Sequence, residues 1–113
     1  MSLLEELKAL LDSLGIPSWV GEFPEKPPAL YAVLVPIIDE YPVEGDGVPL
    51  DELQHVRIHV YSTGNYQTEK NKVSAAAIAA DMCITGRHYA GFESDTKYHN
   101  YAIDVAKPYF LEE

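Results

Sequence analysis

The chain has 113 residues, 47% of them hydrophobic, which suits one domain with one modest core and excludes disorder on composition. Its 18 acidic and 8 basic residues leave a formal net charge of -10, which disfavours a free nucleic-acid binder or a binder of anionic membranes, because phosphate has to be neutralised. A single cysteine, Cys83, excludes an internal disulfide, no stretch approaches the ~18 apolar residues of a membrane span, and no basic region followed by an apolar run marks a secretory signal, so a cytosolic setting is expected.

The first element is a helix. Ser2 is its expected N-cap, with Glu5 three residues on to complete a capping box. Leu3, Leu4, Leu7, Leu10, Leu11 and Leu14 recur at helical spacing, opposite Glu5, Glu6, Lys8 and Asp12. Gly15 is the expected stop and Pro17 prevents continuation. Residues 16–29 read as irregular, with room for a short strand at 19–23. Residues 30–38 are a β-rich run broken by Pro36, which cannot donate to a ladder and so predicts an edge or a bulge. Residues 39–52 carry Asp39, Glu40, Glu44, Asp46, Asp51 and Glu52 with no basic residue among them, together with Gly45, Gly47, Pro42 and Pro49. This predicts a long acidic hairpin loop or the tip of an extended hairpin.

Residues 54–61 alternate. Val56, Ile58 and Val60 are expected on one face of a strand, and His55, Arg57, His59 and Tyr61 on the other. Residues 62–65 form a turn into an alanine-rich helix over 66–85, whose apolar stripe is Val73, Ala76, Ala77, Ala80 and Cys83 or Ile84. Gly86 would end it, and Cys83 would be a small buried hydrophobe. A closing hairpin is expected, with strands at 87–93 and 98–107 and Pro108 ending the pairing. The expected fold class is α+β: a single domain over 1–113, in the order α-β-β-β-α-β-β. The sheet is expected to be twisted and mostly antiparallel, with both helices packed on one face.

No catalytic constellation is legible. There is no G-x-S-x-G motif and no glycine-rich phosphate loop. His55 and His59 lie on a predicted strand, about 13 Å apart, too far to share one zinc. His88 and His99 can face each other across the closing hairpin with Asp104 nearby, which would make at most a weak metal site. Asp39-Glu40 and Asp51-Glu52 are adjacent carboxylates, but exposed pairs are ordinarily solvated charge. No catalytic residue, metal or cofactor is therefore expected. Six of the eight tyrosines, Tyr61, Tyr66, Tyr89, Tyr98, Tyr101 and Tyr109, fall in the second half; they suit either a protein interface or half-buried sheet positions. Contact residues are expected among Asp39, Glu40, Glu44, Asp46, Asp51, Arg57, Tyr61 and Tyr66.

Two stretches carry a family resemblance. One is His55-Val56-Arg57-Ile58-His59-Val60-Tyr61-Ser62-Thr63-Gly64-Asn65-Tyr66. The other is the closing hairpin from Tyr89-Ala90-Gly91-Phe92-Glu93 to Tyr101-Ala102-Ile103-Asp104-Val105-Ala106. Over roughly residues 30 to 110 the chain resembles small tail-terminator or tail-completion (minor tail) proteins of long-tailed phages and prophages. The proline-rich stretch from Pro24 to Pro28 has no counterpart in the resemblance. It implies a structural, non-enzymatic subunit that forms a ring, commonly hexameric, on the tail tube. Its partners would be the tube protein and a head-completion or connector protein, with no specific nucleic acid and no membrane, in the virion tail after assembly in the host cytoplasm. Acidic residues of the 39–52 loop lining a channel would then keep DNA from adhering during passage. A head–tail connector of the phage neck is the alternative within the structural class. A small-molecule-binding domain or enzyme, with His88, His99 or Asp104 in a pocket, is the alternative outside it.

Overall fold

The computed structural model describes residues 2–40 and 51–110. The elements are α1 (Leu3–Ser13), β1 (Ser18–Val20), β2 (Leu30–Glu40), β3 (Asp51–Ser62), α2 (Tyr66–Ala79), β4 (Cys83–Glu93) and β5 (Tyr98–Phe110). Among the described residues the strands form one five-stranded sheet in the order β1-β2-β3-β5-β4. Only β1 and β2 run parallel; the other neighbours are antiparallel. The α+β class, the element order and the mostly antiparallel sheet are those the sequence predicts.

Local chemistry explains the helix ends. Ser2 and Glu5 close a reciprocal capping box, the Ser2 hydroxyl accepting from the Glu5 N–H at 3.2 Å and the Glu5 carboxylate from the Ser2 N–H at 2.7 Å. At the other end Gly15 takes φ 76°, which lets its own N–H reach Asp12 and the Ile16 N–H reach the Leu11 carbonyl. Ile16 and Leu11 are both fully buried, the apolar contact that accompanies this cap.

The second helix departs from expectation. It ends at Ala79 and not near residue 85. Asp81 adopts φ 66°, the Asp81 N–H bonds the Ile78 carbonyl and the Met82 N–H bonds the Ala77 carbonyl. An aspartate thus does what the sequence reading assigned to Gly86, because short polar side chains tolerate the left-handed conformation. Cys83 consequently begins β4 and is exposed, not a buried helix residue. Two further expectations change. β1 stops at Val20, where Gly21 turns at φ 70°. Pro108 does not end the pairing: β5 stays in register with β3 through Phe110, while its pairing with β4 reaches only to Ala106, opposite Cys83 at the start of β4. With no strand on that side among the described residues, a residue without an N–H is tolerated.

The helices share one face of the sheet. Leu3, Leu7 and Leu11 of α1 and Val73 and Ala77 of α2 pack with Leu34, Val56, Ile58, Val60, Ile103 and Val105 into the main core. Lys107 ties the layers together, donating to Glu6 of α1 at 2.9 Å and to the Ala80 carbonyl at the end of α2 at 3.0 Å. The Tyr109 hydroxyl also donates to Glu6. Burial pushes the Glu6 carboxyl up, but these two donors outweigh it and hold it below its ordinary range.

Candidate functional site

The face of the sheet away from the helices divides in two. At the β4–β5 turn end it is a second, aromatic core of Tyr31, Val33, Tyr61 and Tyr98, with Trp19 packed against it. Tyr31 and Tyr61 stack at 4.9 Å, and Tyr98 and Trp19 meet Tyr31 edge-on. Phe23 covers Tyr61, and the Tyr98 hydroxyl donates to the carbonyls of Pro27 and Pro28, at 3.2 and 2.5 Å. The proline-rich segment is thereby tied to this end of the sheet. Burial, and then its neighbours Tyr61, Tyr98 and Glu93, push the Tyr31 hydroxyl up to about 12, so it stays protonated. Burial and Glu93 push Tyr61 in the same direction.

Beyond the aromatic core the two central strands carry the half-exposed polar groups His55, Arg57, His59, Asn100 and Asp104 on that face. Register puts Arg57 opposite Asp104, His59 opposite Ala102, and His55 opposite Ala106, with His88 on the far side of Ala102. Arg57 grips Asp104 with two bonds, Nε to Oδ1 at 2.7 Å and Nη2 to Oδ2 at 3.1 Å. The Arg57 hydrogen bonds hold the Asp104 carboxyl below its ordinary range against the effect of burial; the charges of Arg57, His88 and His59 add to this. His59 Nδ1 lies 3.2 Å from the Asn100 amide oxygen, and the Asn100 amide nitrogen donates to the Tyr61 hydroxyl at 3.4 Å. Three of the four histidines therefore share this open face.

The helix face carries a separate aromatic patch beside the start of α2. Tyr66 packs on Tyr89, His99 and Tyr101, with centroid distances of 5.2, 5.0 and 5.9 Å, and Phe92 meets His99 at 4.7 Å. Lys70 sits over the Tyr101 ring, and the Tyr89 hydroxyl is 2.9 Å from His99 Nδ1. Nearby, a concavity of about 540 Å³ opens to solvent at the β4–β5 turn, lined by residues 92–96.

These positions decide several expectations. His88 pairs at the level of Ala102 and His99 at the level of Phe92, so the two lie on opposite faces and do not face each other. His99 is likewise on the other side of the sheet from Asp104, so the three groups invoked for a pocket do not converge. Among the described residues no group of three or more His, Cys, Asp or Glu is placed to hold a metal ion. Of the expected contact residues, Arg57 lies on the open face, Tyr61 is buried beneath Phe23 on that same face, and Tyr66 belongs to the helix-side patch. Asp39 is exposed on β2, Glu40 and Asp51 lie in strand backbone, and Glu44 and Asp46 fall outside the described residues. Exposed on the edges of the sheet are Tyr89, one of the tyrosines the sequence offers for an interface, and Val35, Ile37, Ile38 and Phe92, which are surface that sequence reasoning missed. The proline at 36 was the available signal, since an edge strand need not bury both faces. Among the described residues no helix is long and apolar enough to cross a membrane. No protein-family model matches the sequence, and a search of curated proteins finds no match.

Proposed function

We propose that this chain is a structural protein of a phage or prophage tail, a tail terminator or tail-completion subunit that caps the tail tube and helps join tail to head through protein contacts in a ring. The observation that carries this reading is the sequence resemblance across residues 30 to 110. The fold supports it: the two stretches that resemble the family form the β3–α2 entry and the β4–β5 hairpin of a sheet in the expected element order. The surface chemistry is consistent with work by contact. Arg57, His55 and His59 are half-exposed on the open face and His88 is exposed there, while Tyr66, Tyr89 and Tyr101 form the patch on the helix side; arginine and tyrosine at the surface suit protein interfaces.

The partners on this reading are the tail tube protein and a head-completion or connector protein. The test is to add the purified protein to growing tail tubes and follow their length by light scattering and electron microscopy. Tubes that stop elongating and carry a cap at one end are the expected result. A protein that never binds tubes and never halts their growth refutes the reading; binding to the connector without binding to tubes favours the neck-adaptor alternative.

A further inference from the structure

The proline-rich stretch from Pro24 to Pro28, which the family resemblance leaves unmatched, lies across the aromatic core on the face away from the helices. Tyr31, Tyr61 and Tyr98 beneath it are 4%, 5% and 7% exposed, whereas Phe23 is 62% exposed and Glu22, Glu25, Lys26 and Pro27 are exposed beside it. The segment covers the rings without joining the sheet. Among the described residues its backbone is bonded to the sheet only at its ends, by the Gly21 N–H to the Leu34 carbonyl and by the Ala29 carbonyl to the Thr63 N–H. Between them it is held by the Phe23 ring, 5.5 Å from Tyr61, and by the Tyr98 hydroxyl on the Pro27 and Pro28 carbonyls.

The segment also has slack. β1 and β2 are parallel, so the chain leaves β1 at Val20, level with Leu34, and returns to Leu30 to begin β2. That return is about 13 Å along the strand. Residues 21–29 reach roughly 30 Å when extended. They can therefore lift off the rings while β1 stays paired with β2.

The contact has the chemistry by which aromatic grooves read proline-rich chains. Such a chain makes no internal hydrogen bonds, leaves its carbonyls available and offers apolar rings for packing. Here the floor is Tyr31 stacked on Tyr61, with Trp19 and Tyr98 edge-on to Tyr31, and a tyrosine hydroxyl supplies the donor. The Tyr61 hydroxyl accepts from Asn100 at 3.4 Å, so its own hydrogen remains for a further carbonyl.

We propose that Trp19, Tyr31, Tyr61 and Tyr98 form a recognition groove for proline-rich segments, that residues 22–29 are its internal occupant, and that a proline-rich segment of a partner protein takes their place. The chemistry of the incoming segment is identified by what the groove already holds. A partner docked elsewhere on the protein presents its segment at an effective concentration on the order of millimolar, which lets it compete with the tethered internal one. Residues 22–29 lie outside the stretch that carries the tail-cap reading, so the groove stands apart from it.

Trp19 is the only tryptophan and sits 6.0 Å from Tyr31, so its emission reports what fills the groove. The probe is a synthetic peptide with the sequence of residues 22–29, which contains no tryptophan or tyrosine. Phe23→Ser combined with Pro27→Ala and Pro28→Ala weakens the internal occupant. In this variant the peptide is expected to shift Trp19 emission saturably and to bind about ten-fold more tightly than to the unmodified protein, whose affinity is lowered by the fraction of molecules with the groove already filled. Adding Tyr98→Phe should weaken binding several-fold, and a peptide with alanine at every proline should give no saturable shift. Should the combined variant fail to fold, the unmodified protein at millimolar peptide decides, with the same proline-dependent shift expected. Equal binding of the alanine peptide, or no saturable shift in either protein, overturns the proposal.

Discussion

At the scale of single residues, the Arg57–Asp104 pair is the strongest polar contact on the open face. Its residues are 47 positions apart, and two hydrogen bonds fix a planar guanidinium on a carboxylate. Both side chains remain partly exposed, at 38% and 22%, so solvent screens the pair and its removal should cost about 1 kcal/mol. The pH dependence follows from the direction of the Asp104 shift. The folded carboxyl titrates below its unfolded counterpart, so its contribution is complete above the unfolded value and is lost as pH falls through the folded one. Asp104→Asn is therefore expected to be less stable than the unmodified protein at pH 6, with the gap closing below about pH 4. Urea unfolding at pH 6 and at pH 3 checks this; an equal gap at both would show that the carboxylate adds nothing through its charge.

At the scale of elements, the second aromatic core explains how a segment with little regular structure stays in place. Residues 21–29 make few backbone bonds to the sheet: the Gly21 N–H to Leu34, and the Ala29 carbonyl to the Thr63 N–H. Phe23 on Tyr61 and the Tyr98 hydroxyl on two proline carbonyls supply the remainder. Pro27 and Pro28 bring no N–H of their own to a ladder, and the Tyr98 hydroxyl donates to their carbonyls instead. Tyr98→Phe keeps the ring and removes only the donor. It should cost about 1 kcal/mol overall and leave the sheet intact. Proteolysis and hydrogen exchange should then rise within residues 22–29 and not in β3 or β5. Uniform loosening of all strands would mean the hydroxyl holds the sheet and not the segment.

At the scale of the whole molecule, the protein is elongated, with extents of 53 × 25 × 24 Å. The length comes from β2, β3 and β5, strands of 11, 12 and 13 residues that run beside one another. Asp39, Glu40, Asp51 and Glu52 all stand at the end of the sheet where α1 begins and α2 ends, opposite the aromatic core. Converting Asp39, Glu44, Asp46 and Asp51 to their amides should change tail assembly or DNA ejection on the tail-cap reading. Unchanged assembly together with unchanged ejection rates would remove the channel from the argument.

Periodicity alone determined much of this architecture. Val56, Ile58 and Val60 alternate with His55, Arg57 and His59, and that local pattern already assigned the faces of β3. The leucine spacing and capping box did the same for α1, because both signals act within a few residues. Tertiary structure decided the rest. α2 stops early because Asp81 accepts a left-handed turn, which carries no composition signal as clear as a glycine, and Cys83 moves from a core to an edge as a result. The partner of Arg57, the separation of His88 from His99 and the open flank of β2 all depend on register between strands distant in sequence. Bulges at residues 37, 85 and 90 shift that register by single residues. One such shift moves every following side chain to the other face. The surfaces on which the proposed contacts depend are set by those long-range pairings, whereas the class and order of the elements are set by short-range chemistry.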